Sequence, residues 1–174
     1  MSDGPYNTVE HIIPESLGNT EDILAGVVCD KCQNYFGKEV ESYVLSKSPF
    51  AFWRVLYNIK NKKGKVPYYD TTLPLMQEGP IPDTHIYNDN NIIFHPANAS
   101  EETIVEVEIN NKELLNSILS GSKNKINIVM TPKMLIQIGR FLGKIALELL
   151  YKTCGDEVFD KRYDDLRKYV RYGT

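Results

Sequence analysis

Two short stretches carry the side chains best suited to chemistry. "TVEHIIPESLGN" (8–19) sets a carboxylate, Glu10, beside an imidazole, His11, at the head of an apolar run that Pro14 stops. "CDKCQNYFGKEVE" (29–41) places the thiols of Cys29 and Cys32 three residues apart, followed by the carboxamides of Gln33 and Asn34. A carboxylate and a carboxamide are oxygen donors of the kind Mg²⁺ accepts, since that ion keeps several waters and takes few protein ligands. A neutral imidazole beside such an ion can take a proton from water for attack on phosphorus. The ion would stabilise the developing charge and the leaving oxygen. Taken singly, these residues are ordinary. A histidine on a strand is more often structural or surface-exposed, and an asparagine near a helix start often just bonds backbone.

The two stretches must be brought together by the elements that hold them. "TVEHII" is short and β-branched and reads as a strand. Residues 15–25, with Gly18-Asn19, read as a loop, and "GVVC" (26–29) as a second short strand. Asp30 is the expected N-cap of a helix over 31–45, where Phe36, Val40, Tyr43 and Val44 recur at helical spacing. A strand pair packed on a helix brings Glu10, His11 and Asn34 to one small cleft. One tension remains. On a regular strand Glu10 and His11 point to opposite faces, so a shared ion needs either the strand's edge or a bend.

The ordered combination of "EHIIPESLGN" and "VVCDKCQNYFGKEVE" resembles the HNH endonuclease family over residues 8–45. The resemblance implies a ββα-metal motif that hydrolyses DNA phosphodiester bonds with Mg²⁺, Mn²⁺ or another divalent cation. It casts His11 as general base, Glu10 as metal ligand, and Asn34 as a second ligand or catalytic positioning residue. This chain departs from the pattern in three places. Gln33 stands where many members have His or Asn, so Gln33 and Asn34 compete for the helix-borne role. The asparagine that braces the loop in relatives has only Asn19 as a counterpart. The upstream cysteine pair that completes zinc sites in relatives is missing. Structural zinc takes four ligands, so Cys29 and Cys32 are better read as two reduced thiols under the helix than as a Zn²⁺ site.

The rest of the chain reads as support. A helix is expected over 48–61, opening at Ser48-Pro49, then a basic turn "KNKKGK" (60–65) that could meet phosphates. Pro67, Pro74, Pro80 and Pro82 make 66–90 irregular. "NIIFH" (91–95), "TIVEVEI" (103–109) and "KINIVM" (125–130) are strand candidates, with a short helix over 111–121. The strongest helix opens at Thr131-Pro132, with proline at the first helical position, and stops at Gly155. One more short helix is expected over 156–173. "RFLGKIALELL" within the long helix reads as core packing, and His85 and His95 lie outside the motif. The expected class is α+β: the HNH motif over 1–45, then a companion region over 46–174 with a small antiparallel sheet and a long C-terminal helix.

Composition narrows the setting. With 42% apolar and 25% charged residues, the 174-residue chain can build an ordinary core. A net charge of −3 argues against binding nucleic acid through bulk charge, though not against one local basic surface. The 3 cysteines make no disulfide framework and fit a reducing cytoplasm. The chain shows no apolar run of membrane-spanning length and no basic-then-apolar leader. DNA is the expected partner, with a protein partner or a second copy of the chain also open. Two rival functions stand beside the nuclease: a non-catalytic nucleic-acid-binding or interaction protein on a decayed HNH scaffold, and a defence or mobile-element effector whose nuclease waits for a partner.

Overall fold

The computed structural model describes residues 4–61, 63–70, 92–96, 105–122 and 130–174. The chain is mixed helix and sheet and divides into two compact units, one formed by Met1–Leu45 with Leu135–Thr174, the other by Ser46–Met134. Of the companion region expected over 46–174, only the first part makes the second unit. The C-terminal helices belong with the N-terminal segment.

In the first unit, β1 (Val9–His11) pairs antiparallel with β2 (Ile23–Ala25), in the register Val9↔Ala25, Glu10↔Leu24 and His11↔Ile23. The second strand is therefore "ILA", upstream of the "GVVC" expected from its β-branched run. Gly26, at φ +69°, turns the chain out of the ladder before that run can pair. The connection between the strands is a built turn. Glu15–Leu17 forms a 3₁₀ turn closed by left-handed Gly18, whose N–H donates to Glu15 O at 2.8 Å. Asn19 then fastens the loop. Its Nδ2 donates to Ile13 O (2.8 Å) and Asp22 O (3.2 Å), and its Oδ1 accepts from the backbone N–H groups of Glu21 (3.1 Å) and Asp22 (3.0 Å).

Because Asn19→Ala strips partners from several backbone groups at once, we expect a loss of about 1–3 kcal/mol, read as a lower urea midpoint. An unchanged midpoint would show that the turn stands without the carboxamide.

The helix that follows starts as α1 (Asp30–Phe36), passes through a π-helical turn at Gly37–Glu41 and continues as α2 (Ser42–Lys47). Its N-cap is Cys29, whose Sγ accepts from Cys32 N–H at 3.4 Å, and not Asp30 as expected. Asp30 is engaged elsewhere. Its carboxylate accepts from the backbone N–H groups of Asn7 and Thr8, both at 3.0 Å, from Thr8 Oγ1 at 2.8 Å and from Asn7 Nδ2 at 3.2 Å. These bonds, that from the Thr8 hydroxyl foremost, hold the Asp30 carboxyl below its ordinary range.

In the second unit, α3 (Pro49–Leu56) opens at Ser48, whose Oγ accepts from Phe50 N–H at 3.2 Å. It ends five residues short of the expected 61, and Asn58 takes a left-handed φ of 53°. The strands β3 (Tyr69–Asp70), β4 (Ile92–Pro96) and β5 (Val105–Ile109) form an antiparallel sheet in that order. Ala51, Val55, Tyr69, Ile92, Phe94 and Leu114 make this unit's core, with Phe52 edge-on to Phe94 at 5.0 Å. The helix α4 (Lys112–Leu119), expected over 111–121, is capped by Asn111, whose Oδ1 accepts from Leu114 N–H at 2.9 Å. The basic turn closes on Asn61, whose Oδ1 accepts from the N–H groups of Lys63 (2.8 Å) and Lys65 (3.1 Å). The strand expected at 125–130 lies, apart from Met130, outside the described residues, as does His85. His95 pairs with Glu108 across the sheet at 3.0 Å.

The long helix α5 spans Pro132–Cys154, with Thr131 Oγ1 accepting from Met134 N–H at 3.1 Å. Two 3₁₀ turns, Gly155–Phe159 and Lys161–Tyr163, lead to α6 (Asp164–Tyr172), so the single final helix expected over 156–173 is broken into three pieces. Buried Arg140 on α5 ties the first unit together. It donates from Nε to Val170 O (3.0 Å) and from Nη2 to Arg171 O (2.7 Å) and the Tyr35 hydroxyl (2.8 Å). Arg171 in turn stacks on the Tyr35 ring at 3.7 Å. Among the described residues no helix is long and apolar enough to cross a membrane.

Candidate functional site

The hairpin sorts Glu10 and His11 to opposite faces. Val9, His11 and Ile23 share the outer face, where Val9 and Ile23 are exposed and His11 is half-buried. Glu10 and its cross-strand neighbour Leu24 share the inner face and are both 6% exposed. The strand is regular here, and the alternation decides which side chain meets solvent. His11 makes no side-chain hydrogen bond among the described residues, so its ring nitrogens remain open to water or substrate.

Glu10 meets a cation supplied by the far end of the chain. Lys144 on α5 donates from Nζ to Glu10 Oε1 at 2.5 Å, and stands 2.9 Å from Glu41 Oε1 and 3.3 Å from Glu148 Oε2. The last approach is within ion-pair reach but lacks hydrogen-bond alignment, and Glu148 Oε2 has no hydrogen-bond partner. The cluster is largely buried, with the Lys144 side chain 3% exposed and that of Glu10 8%, while Glu41 is 18% exposed. Burial pushes the Glu10 carboxyl up, and the neighbouring ammonium only partly reverses this. The same desolvation pushes Glu148 up to about 8. Burial acts to pull Lys144 down, but the three carboxylates outweigh it and raise its value.

A pH dependence of stability follows. Between pH 4.5 and about 8 the folded chain keeps a proton on Glu148 that the unfolded chain has released. Folding is therefore favoured less as pH rises through that window, and the loss levels off above it. Glu10, raised in the same direction, adds to the slope. Asp30 acts with the opposite sign: its depressed value supports folding above 3.8, and that support is lost as pH falls through the folded value. We expect Glu148→Gln to flatten the fall in urea midpoint between pH 5 and pH 8. A variant that kept the full wild-type slope would show that the proton sits elsewhere.

Of the helix-borne residues, Gln33 is tied into the scaffold. Its Nε2 donates to Val28 O (2.9 Å) and Thr8 O (3.1 Å), and its Oε1 accepts from Thr8 Oγ1 (2.9 Å). Asn34 is exposed and makes no side-chain hydrogen bond among the described residues. Glu10, His11 and Asn34 thus do not converge as a donor set: one faces a buried ammonium, one the outer side of the hairpin, one solvent. Among the described residues no group of three or more His, Cys, Asp or Glu side chains is placed to hold a metal ion. Cys29 is buried and Cys32 half-buried, both as free thiols. Sequence reasoning missed Lys144, Glu41 and Glu148. The available signal was that Lys144 and Glu148, four residues apart, fall on the same helical stripe as Met134 and Phe141, where apolar residues belong.

Residues 5–48 match the family model of the HNH endonucleases. The segment holding the β1–β2 hairpin and the helix behind it is therefore assigned to a family of nuclease type, as its motifs suggested. No significant match to a curated protein or to a solved structure was found.

Proposed function

We propose that the N-terminal unit hydrolyses phosphodiester bonds in nucleic acid, DNA being the expected substrate, with His11 accepting the proton of the attacking water. The observation that carries this reading is the placement of His11. It lies half-buried on the outer face of β1, without a hydrogen-bond partner among the described residues, inside the segment that matches the HNH endonucleases. An imidazole so placed has a nitrogen available for water and a rigid two-stranded base to aim it. Asn34, exposed on α1, is the proposed positioning group from the helix. A divalent ion of the Mg²⁺ class belongs to the same reading, with Glu10 and Asn34 as its expected ligands. Those side chains as placed do not fit a common ion, and the proton transfer to His11 is drawn without one.

The ion pair between Glu10 and Lys144 favours a second reading, a nuclease that waits for a partner or nucleic-acid signal. Incubation of supercoiled plasmid with Mg²⁺ or Mn²⁺, wild type beside His11→Ala, tests the first. Equal cleavage by both proteins would remove His11 from the mechanism. Silence of the wild type alone, with cleavage once a partner is added, would favour the second.

A further inference from the structure

We propose that the second unit carries a binding surface for an unpaired nucleic-acid strand, with Trp53 and Tyr57 as the platform for its bases and the turn over 60–65 as the cradle for its phosphates. The first observation is charge. Between Glu41 and Asp70 the chain has no Asp or Glu, and its charged residues there are Lys47, Arg54, Lys60, Lys62, Lys63 and Lys65. A chain of net charge −3 thus gathers positive charge in one stretch. Arg54 is buried, but Lys60, Lys63 and Lys65 are exposed and make no ion pair among the described residues. Asn61 fixes the turn that presents them. Beyond the two bonds its Oδ1 accepts, its N–H donates to Lys65 O and its O accepts from Gly64 N–H, both at 2.8 Å. Lysines held this way meet phosphate oxygens as point charges.

The second observation is a pair of exposed rings just upstream. Ala51 and Val55 of α3 lie in the core, and Trp53 and Tyr57, two residues on from each, fall about 200° further around the helix. Trp53 is 47% exposed and Tyr57 67%, and their rings lie nearly parallel, at 18°, with centroids 5.8 Å apart. Left-handed Asn58 ends the helix at once, with Ile59 N–H donating to Arg54 O at 2.8 Å. Three peptide steps then keep the Cα of Lys60 within about 11 Å of that of Tyr57. Flat rings beside a basic turn match a strand whose bases are unpaired, since every base has a π-face and every nucleotide a phosphate. A duplex keeps those faces within its own stack.

The inference rests on the nuclease reading only for the expectation that nucleic acid is the partner. Its test uses the full chain in metal-free buffer, where binding is read without cleavage. Trp53 is the chain's single tryptophan, so its fluorescence reports on the platform directly. The probes are an oligothymidylate of about 12 nucleotides, the matching oligouridylate, an abasic strand of the same length, and the duplex of the first with oligodeoxyadenylate. A base-bearing strand is expected to quench Trp53 and to bind at least fivefold tighter than the abasic strand or the duplex, the first two probes telling DNA from RNA. By anisotropy of a labelled strand, Tyr57→Ala is expected to bind at least fivefold more weakly, the low end for one base stacked on an aromatic ring. Lys60→Gln/Lys63→Gln/Lys65→Gln should make the slope of log K against log salt shallower by about 2. Abasic or duplex binding within fivefold of the base-bearing strands, an unchanged Trp53 signal at saturation, or a folded Tyr57→Ala within fivefold of wild type would overturn the proposal. Binding of none of the probes would overturn it too and leave the surface to an acidic protein. Plasmid cleavage is read separately. Cleavage without strand binding sinks this inference alone, and strand binding without cleavage counts against the nuclease reading alone.

Discussion

His11→Ala is expected to slow conversion of supercoiled plasmid by about 10²–10⁴-fold, the span a positioned general base contributes, while leaving the fold as it was. Both halves of that expectation come from the outer face of the hairpin. His11 has no hydrogen-bond partner among the described residues, so truncating it leaves no buried donor or acceptor unmet. Its cross-strand neighbour Ile23 is itself 42% exposed, so little packing is lost. A surface change of this kind shifts stability by about 0.5 kcal/mol or less, and the urea midpoint should barely move. Added imidazole should restore part of the lost rate, because the missing group is a proton acceptor and not a structural strut. Cleavage within twofold of wild type would sink the assignment. So would a rate loss that tracked a fall in the urea midpoint, since that would make His11 a packing residue.

What could be read from the chain alone was whatever depends on near neighbours. Ser48-Pro49 and Thr131-Pro132 mark helix starts because a hydroxyl cap and a proline at the first helical position act within one turn. The Glu10-His11 pair and the cysteine pair marked the right hairpin and helix because they too are local. Reading failed where a distant partner decides. "GVVC" has better strand residues than "ILA", yet the ladder forms at Ile23–Ala25, because the Asn19-braced turn sets the register and Gly26 ends it. Asp30 has the chemistry of a cap, but its carboxylate is taken by Asn7 and Thr8, and a thiol caps the helix instead. Glu10 reads as an ion ligand from its local motif, which says nothing of a partner on a distant helix. Its actual partner, Lys144, is 134 positions away on a helix whose stripe looked apolar.

The same distant contact sets the largest expected effect on stability. Lys144→Met keeps much of the side chain's length and apolar stem but deletes the charge, leaving buried Glu10 and half-buried Glu41 without the cation between them. Breaking a buried ion pair by removing one partner costs about 3–5 kcal/mol, a large share of the roughly 5–15 kcal/mol that holds a domain folded. Glu148, pushed up to about 8, already carries a proton at neutral pH, so the penalty falls mainly on the two other carboxylates. Neutralising one of them should therefore help. Glu10→Gln/Lys144→Met is expected to recover about 1–3 kcal/mol relative to Lys144→Met, the size of a coupling between residues in one ion-pair network. Urea denaturation of wild type, both single variants and the double variant measures that coupling directly. A Lys144→Met midpoint within about 1 kcal/mol of wild type would mean that the cluster relaxes or protonates at little cost.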